Sequence, residues 1–243
     1  LVAMDRSIGT LRKGLREMGV AQNTLVWFMS DNGGLPRLDP PTTGGLRSFK
    51  GSMYEGGLRV PAIIEWPKGI SKVRITKHPA GAVDIFPTIA EVAGLEKSDL
   101  LKPQDGMSLA KLFLKEPGPR QKPLPFRSRG RIAVVDNDYK MISFPDRGKT
   151  RYELYNLAND MSEQDNLVKK EPKIANQLRK KLKAIDASVT ASVNGQDYPE
   201  KKVTPQPPRI FWWERESYRP YFSEWIKRPE YGQRLKRHIE SQK

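Results

Sequence analysis

Two stretches of this chain carry side chains able to do chemistry together. In Ser30-Asp31-Asn32-Gly33-Gly34 a carboxylate and an amide follow an apolar run. Oxygen donors of this kind suit a hard divalent cation such as calcium. Adjacent residues on a strand point to opposite faces, so both can serve one ion only where the chain has turned. Gly33 and Gly34 permit that turn through their tolerance of positive φ. The same residues also spell an ordinary hairpin turn. The second stretch is Lys50-Gly51-Ser52-Met53-Tyr54-Glu55-Gly56-Gly57-Leu58-Arg59-Val60-Pro61. The compact ammonium of Lys50 can hold an oxyanion or stabilise charge on a departing oxygen. Glu55 and Arg59, four residues apart, are expected to pair and brace the loop.

The flanking sequence predicts the elements that position these groups. Met4, Ile8, Leu11, Leu15 and Met18 mark one face of a helix, with Gly19 as its stop. Residues 25–29 are a continuous apolar run, read as a strand covered on both faces. Helix followed by strand predicts a parallel α/β sheet, in which ligands bind beyond the carboxyl ends of strands, where Asp31 and Asn32 fall. Residues 33–57 read as a long loop, a usual carrier of function, and residues 60–66 as a second strand. Asp84 reads as the N-cap of a helix with Ile85, Ile89 and Val92 inward and Gly94 at its end. Prolines between 103 and 125 mark a boundary. Beyond it, strands at 131–135 and 139–144 flank the turn Asp136-Asn137-Asp138, and a third follows at 152–155. A helix over 171–185 buries Ile174, Leu178, Leu182 and Ile185. The expected organisation is a first part at 1–104, a small antiparallel sheet with a packed helix at 105–196, and a basic, aromatic tail at 197–243.

Composition narrows the classes. The absence of cysteine excludes disulfides, thiol catalysis and cysteine metal sites. No run approaches the roughly 20 apolar residues that span a bilayer. The start, without Met or a charged leader, reads as a truncation. A net charge of +15 agrees with a polyanionic partner. Nucleic acid is not favoured, because the positive residues concentrate in 169–183 and beyond 201 rather than on one recognisable module. The tail aromatics read as anchors of an extension in preference to a stacking surface for sugars or bases.

Taken together, Ser30–Gly34 after its apolar run, Leu46-Arg47-Ser48-Phe49-Lys50-Gly51 and Tyr54–Pro61 closely resemble the type I, formylglycine-dependent sulfatases of the alkaline phosphatase superfamily. Asp84-Ile85-Phe86-Pro87-Thr88 with Ala93-Gly94 resembles the next helix of that family. Tyr152-Glu153-Leu154-Tyr155-Asn156-Leu157, Asp160 and Glu163-Gln164-Asp165-Asn166-Leu167 resemble its C-terminal subdomain. The resemblance covers about residues 1–200. It implies the C-terminal part of an alkaline-phosphatase-like, mostly parallel sheet with flanking helices, plus the small antiparallel subdomain. It also implies a sulfuric ester hydrolase in which a formylglycine hydrate attacks sulfur. By resemblance, Asp31 and Asn32 are two ligands of one calcium ion, and Lys50 contacts the sulfate and bridging oxygen as a catalytic residue. Arg47 and His78 are further substrate-binding candidates, and a sulfated carbohydrate is the expected substrate. The paired aspartates, the upstream histidine and the Cys/Ser-x-Pro-x-Arg nucleophile motif are read as absent. The missing N-terminal sulfatase region is therefore the expected partner, and the chain alone is expected to be inert and poorly soluble. The alternatives are an inactive remnant, a non-catalytic polyanion-binding protein, or a related phosphodiesterase or phosphonate hydrolase.

Overall fold

The computed structural model describes residues 2–204 and 210–242, with no side-chain account at Lys97. These residues form two compact units, Leu1–Lys201 and Lys202–Lys243. In the first, helix α1 (Val2–Glu17) carries the predicted apolar face and stops at Gly19, whose φ is 71°. None of its residues is buried. Strand β1 (Val26–Met29) and, beyond the short helix α2 (Glu55–Leu58), strand β2 (Ala62–Glu65) form a two-stranded sheet. Two expectations are corrected here. The pairing is antiparallel, Val26 opposite Glu65 and Met29 opposite Ala62. The residues of β1 are half-buried, since only one neighbouring strand among the described residues covers them.

Helix α3 (Ile85–Val92) runs where expected but turns inward with Pro87, Thr88 and Ala90, leaving Ile89 exposed. Asp84 occupies its N-cap position without capping it. The Asp84 carboxylate instead accepts from the backbone of Gly81 and Met107 and forms a two-pronged pair with Arg120, at 2.7 and 2.9 Å. Both side chains are fully buried. The pair ties α3 to the proline-rich segment that follows it.

Strands β3 (Leu124–Ser128), β4 (Arg131–Asp136), β5 (Tyr139–Asp146) and β6 (Lys149–Asn156) form an antiparallel meander in that order. Sequence periodicity missed β3, because Pro125 falls inside it; the strand lies at a sheet edge, where a missing N–H is tolerated. One face, with Ile132, Val134, Met141 and Leu154, packs under helix α4 (Pro172–Val193) through Ala175, Leu178 and Leu182. Each of the Ile, Val, Met and Leu side chains contributes about 1.5–3 kcal/mol on leaving water. The other face, with Ala133, Val135, Ile142 and Tyr155, receives Met53, Tyr54 and Leu58 from the long loop. The meander is thus the wall against which that loop is folded.

The second unit contains α5 (Phe222–Trp225) and α6 (Pro229–Ser241). Its aromatics pack chiefly on one another: Trp212 meets Trp213, Phe222, Trp225 and Tyr231 with ring centres 5.3–6.4 Å apart. No described helix is long and apolar enough to cross a membrane.

Candidate active site

Strand β1 ends at Met29, so Asp31 and Asn32 lie in a bend beyond it and strand alternation no longer separates them. Close backbone packing then joins this bend to the Lys50 loop. Gly33 N–H donates to the Gly57 carbonyl at 3.2 Å, and Lys50 N–H donates to the Gly34 carbonyl at 2.9 Å. A Cβ on Gly33 would fall 2.0 Å from the Gly56 oxygen, and one on Gly56 would fall 2.3 Å from the Ser48 oxygen. These glycines are present because two backbones touch where any side chain would stand between them. The two stretches singled out from sequence are therefore packed backbone against backbone.

The loop is locked by buried charge. Glu55 pairs with Arg59 at 2.6 Å, as its spacing predicts. It also pairs at 2.8 Å with Lys140, a fully buried lysine on β5. Lys140 lies 2.9 Å from Glu163, whose other oxygen accepts the Glu55 N–H at 2.5 Å. Burial pushes Glu55 up, but Lys140 and Arg59 outweigh it and hold the carboxylate below the usual value. For Glu163 burial prevails over Lys140 and the Glu55 N–H, and its affinity for a proton is raised. Sequence reasoning missed Lys140. Its signal was a lysine sharing alternation with Ile142 on the inward face of a strand.

Arg47 joins the same bracing. Its guanidinium donates to the Tyr155 hydroxyl at 2.9 Å and to the Glu163 carbonyl at 2.7 Å, and lies 3.9 Å over the Tyr54 ring. The guanidinium expected to meet substrate is thus committed to holding the loop on the meander. Tyr54 and Tyr155 both donate to Glu153 at 2.8 Å. His78 lies elsewhere: its charged neighbours are Arg120, Glu116 and Asp84, none of them on the two site stretches, and burial foremost lowers its proton affinity.

The donor set fits the expected cation in kind. Asp31 and Asn32 offer side-chain oxygens with no protein hydrogen bond to either among the described residues. Calcium takes six to eight oxygens, of which these could supply two, and no group of three acidic or histidine side chains placed to hold a metal ion stands among the described residues.

One sequence reading needs correction. Ser143-Phe144-Pro145-Asp146-Arg147 does spell Ser-x-Pro-x-Arg. The structure places it in β5 and the turn after it, with Ser143 buried and its hydroxyl donating to the Ile132 carbonyl. Ser143 alternates with Met141 on the face under α4, away from the Lys50 loop. It is a strand residue, and no nucleophile loop.

The sequence model of the family described as "Sulfatase" matches residues 1–95. Over that stretch the chain is similar to the sulfatases. It is 31% identical over 192 residues to a sulfatase of Formosa agariphila, covering 70% of this chain and 34% of that protein. It is 27% identical over 210 residues to an N-acetylgalactosamine-6-O-sulfatase of Bacteroides thetaiotaomicron, covering 76% and 40%. Among solved structures it is similar to the PsFucS1 sulfatase from Pseudoalteromonas sp., with a TM-score of 0.65 and 26% identity over 82% of this chain and 42% of the other. The alkaline-phosphatase-like fold class follows from these likenesses. The chain spans about a third to two fifths of the length of these relatives. The likeness to sulfatases was legible from the motifs; the meander as the wall behind the Lys50 loop was not.

Proposed function

We propose that this sulfatase-like chain supplies the leaving-group side of an active site that hydrolyses a sulfate ester on a carbohydrate. The observation that supports it is the stitching of the Asp31-Asn32 bend to the Lys50 loop through Gly33, Gly34 and Gly57. It brings the backbone that carries two oxygen donors against the loop that carries Lys50, whose ammonium has no carboxylate within ion-pair distance among the described residues. Asp31 and Asn32 hold part of the coordination of one calcium ion, which when bound polarises the sulfate as a Lewis acid. Lys50 binds a sulfate oxygen and stabilises negative charge on the bridging oxygen as it departs. Glu55, Lys140, Glu163 and Arg47 do not touch the ester; they fix the loop so that Lys50 need not reorganise. The nucleophile and remaining calcium ligands come from outside the described residues. The same missing region covers the exposed apolar face of α1 and the open face of β1 and β2. A carbohydrate substrate agrees with the positive charge of the chain and with the name of its Bacteroides relative.

The test uses the protein that carries this chain together with its nucleophile region. It should release inorganic sulfate from N-acetylgalactosamine 6-sulfate or an aryl sulfate. Lys50→Ala should lower kcat by about 10²–10³, the cost of losing one preorganised charge-stabilising group. Chelation of calcium should abolish the rate. The 243-residue chain alone should release none. Faster cleavage of a phosphodiester than of either sulfate would assign the site to a phosphodiesterase, and sulfate release by the chain alone would refute the external nucleophile.

A further inference from the structure

The face of the meander that holds the site loop does not end with it. Alternation along β4, β5 and β6 puts Arg131, Phe144 and Arg151 on that same face, one row nearer the hairpin end than the buried core. Phe144 is paired with Arg151 across the strands, and the Arg151 guanidinium lies 4.4 Å over its ring. Phe144 in turn lies 5.9 Å from Tyr54. An open depression of about 480 Å³ runs from Lys50 and Phe49 to Arg129, Arg131 and Arg151. That volume is within the usual range for a small-molecule site.

Three observations give this depression a ligand chemistry. Lys50, Arg129 and Arg131 have no carboxylate within ion-pair distance among the described residues; of the lining cations only Arg151 has one, Glu153. Arg129 sits with φ 51°, followed by Gly130 with φ 73°, in the two-residue turn between β3 and β4. Such turns favour Asn or Gly in that position, so the arginine is held there at a conformational cost. The turn between β5 and β6 repeats the arrangement with Arg147 and Gly148, φ 46° and 78°, at the same end of the meander. Finally, Phe49 is 45% exposed at the rim beside Lys50, an aromatic face open to a sugar ring.

We propose that Arg129 and Arg131, with Arg151 beside them, form a second anion subsite that receives another sulfate or carboxylate of the same saccharide chain whose sulfate ester meets Lys50. The inference rests on the reading of Lys50 as the sulfate contact. It makes the preferred ligand a multiply charged oligosaccharide in place of a singly sulfated sugar. Nucleic acid is the less favoured polyanion, because the cations line a short depression continuous with Lys50 and not an extended stripe.

Binding separates the two claims. A heparin tetrasaccharide and the singly charged N-acetylgalactosamine 6-sulfate are titrated into the chain by competition calorimetry. Arg129→Gln/Arg131→Gln should weaken the tetrasaccharide about tenfold, as the loss of charge-assisted hydrogen bonds implies, and leave the monosaccharide unchanged. Both positions are exposed, so the variant should keep the wild-type melting temperature. Arg129→Lys/Arg131→Lys should recover most of the affinity. Equal loss for both ligands, or none for the tetrasaccharide, overturns the subsite. So does a single-stranded oligonucleotide of the same charge that binds as tightly, or a larger loss from neutralising Lys236 and Arg237 in the second unit. Failure of the sulfatase reading appears separately, as absent sulfate release by the nucleophile-bearing protein with discrimination between the two ligands intact.

Discussion

Lys140→Met is the most informative perturbation of the site. Lys140 is fully buried and neutralises two carboxylates, Glu55 at 2.8 Å and Glu163 at 2.9 Å. Methionine fills the same space without charge, so the cost is electrostatic and not a cavity. Removing one partner of a buried ion pair costs about 3–5 kcal/mol. Here Arg59 still pairs with Glu55, and Glu163, already raised by burial, takes up a proton with comparative ease. Both effects place the loss at the lower end, about 3 kcal/mol. With a urea slope of about 3 kcal/mol/M, the midpoint of the first unit should fall by about 1 M. Amide hydrogen exchange should rise selectively over 47–59, which Lys140 anchors, before it rises in β4 and β5. Lys140→Met/Glu163→Gln should recover part of the loss, because the second change removes the stranded carboxylate. A loss under about 1 kcal/mol, with exchange over 47–59 unchanged, would refute the claim that buried charge holds the loop.

Arg120→Met should cost about 3–5 kcal/mol by leaving Asp84 charged and buried, read by calorimetric melting. Gly33→Ala should destabilise the bend by about 1–3 kcal/mol, the usual cost of overpacking, because its Cβ would meet the Gly56 oxygen at 2.0 Å; exchange at residues 33 and 57 reports it. Stability should fall on acidification below about pH 4.5. Burial is outweighed at Glu55 by Lys140 and Arg59, and at Glu153 by hydrogen bonds from Tyr54, Tyr155 and Arg151, so both carboxyls are held below 4.5. Their stability is present above that value and lost as pH falls through their folded pKa values. Glu163, raised above 4.5, acts oppositely, its contribution full below that pH and lost as pH rises through its folded value. Glu163→Gln should therefore steepen the acid loss measured by urea midpoints from pH 3 to 7, and a shallower dependence would contradict the assignment.

The sequence by itself determined the local elements and the chemically able residues. Short-range patterns specify these: the i, i+3, i+4 face of α1, the Asn137 turn, the four-residue spacing of Glu55 and Arg59, and the glycines that let backbones approach. It also carried the likeness to the sulfatases, because the motifs around Asp31 and Lys50 stand in a fixed order. Only the tertiary structure decided how these parts are used. Nothing local tells that Lys140 lies between Glu55 and Glu163, since the partners are 85 and 23 residues distant along the chain. Nothing local tells that Arg47 turns to Tyr155, that Asp84 prefers Arg120 to the helix it precedes, or that Ser143 faces α4. The antiparallel pairing of β1 with β2 was equally hidden, because an apolar run states that a strand is covered but not the direction of its neighbour. Long-range charge pairing and strand direction depend on which surfaces meet, and a single chain read in order does not contain that information.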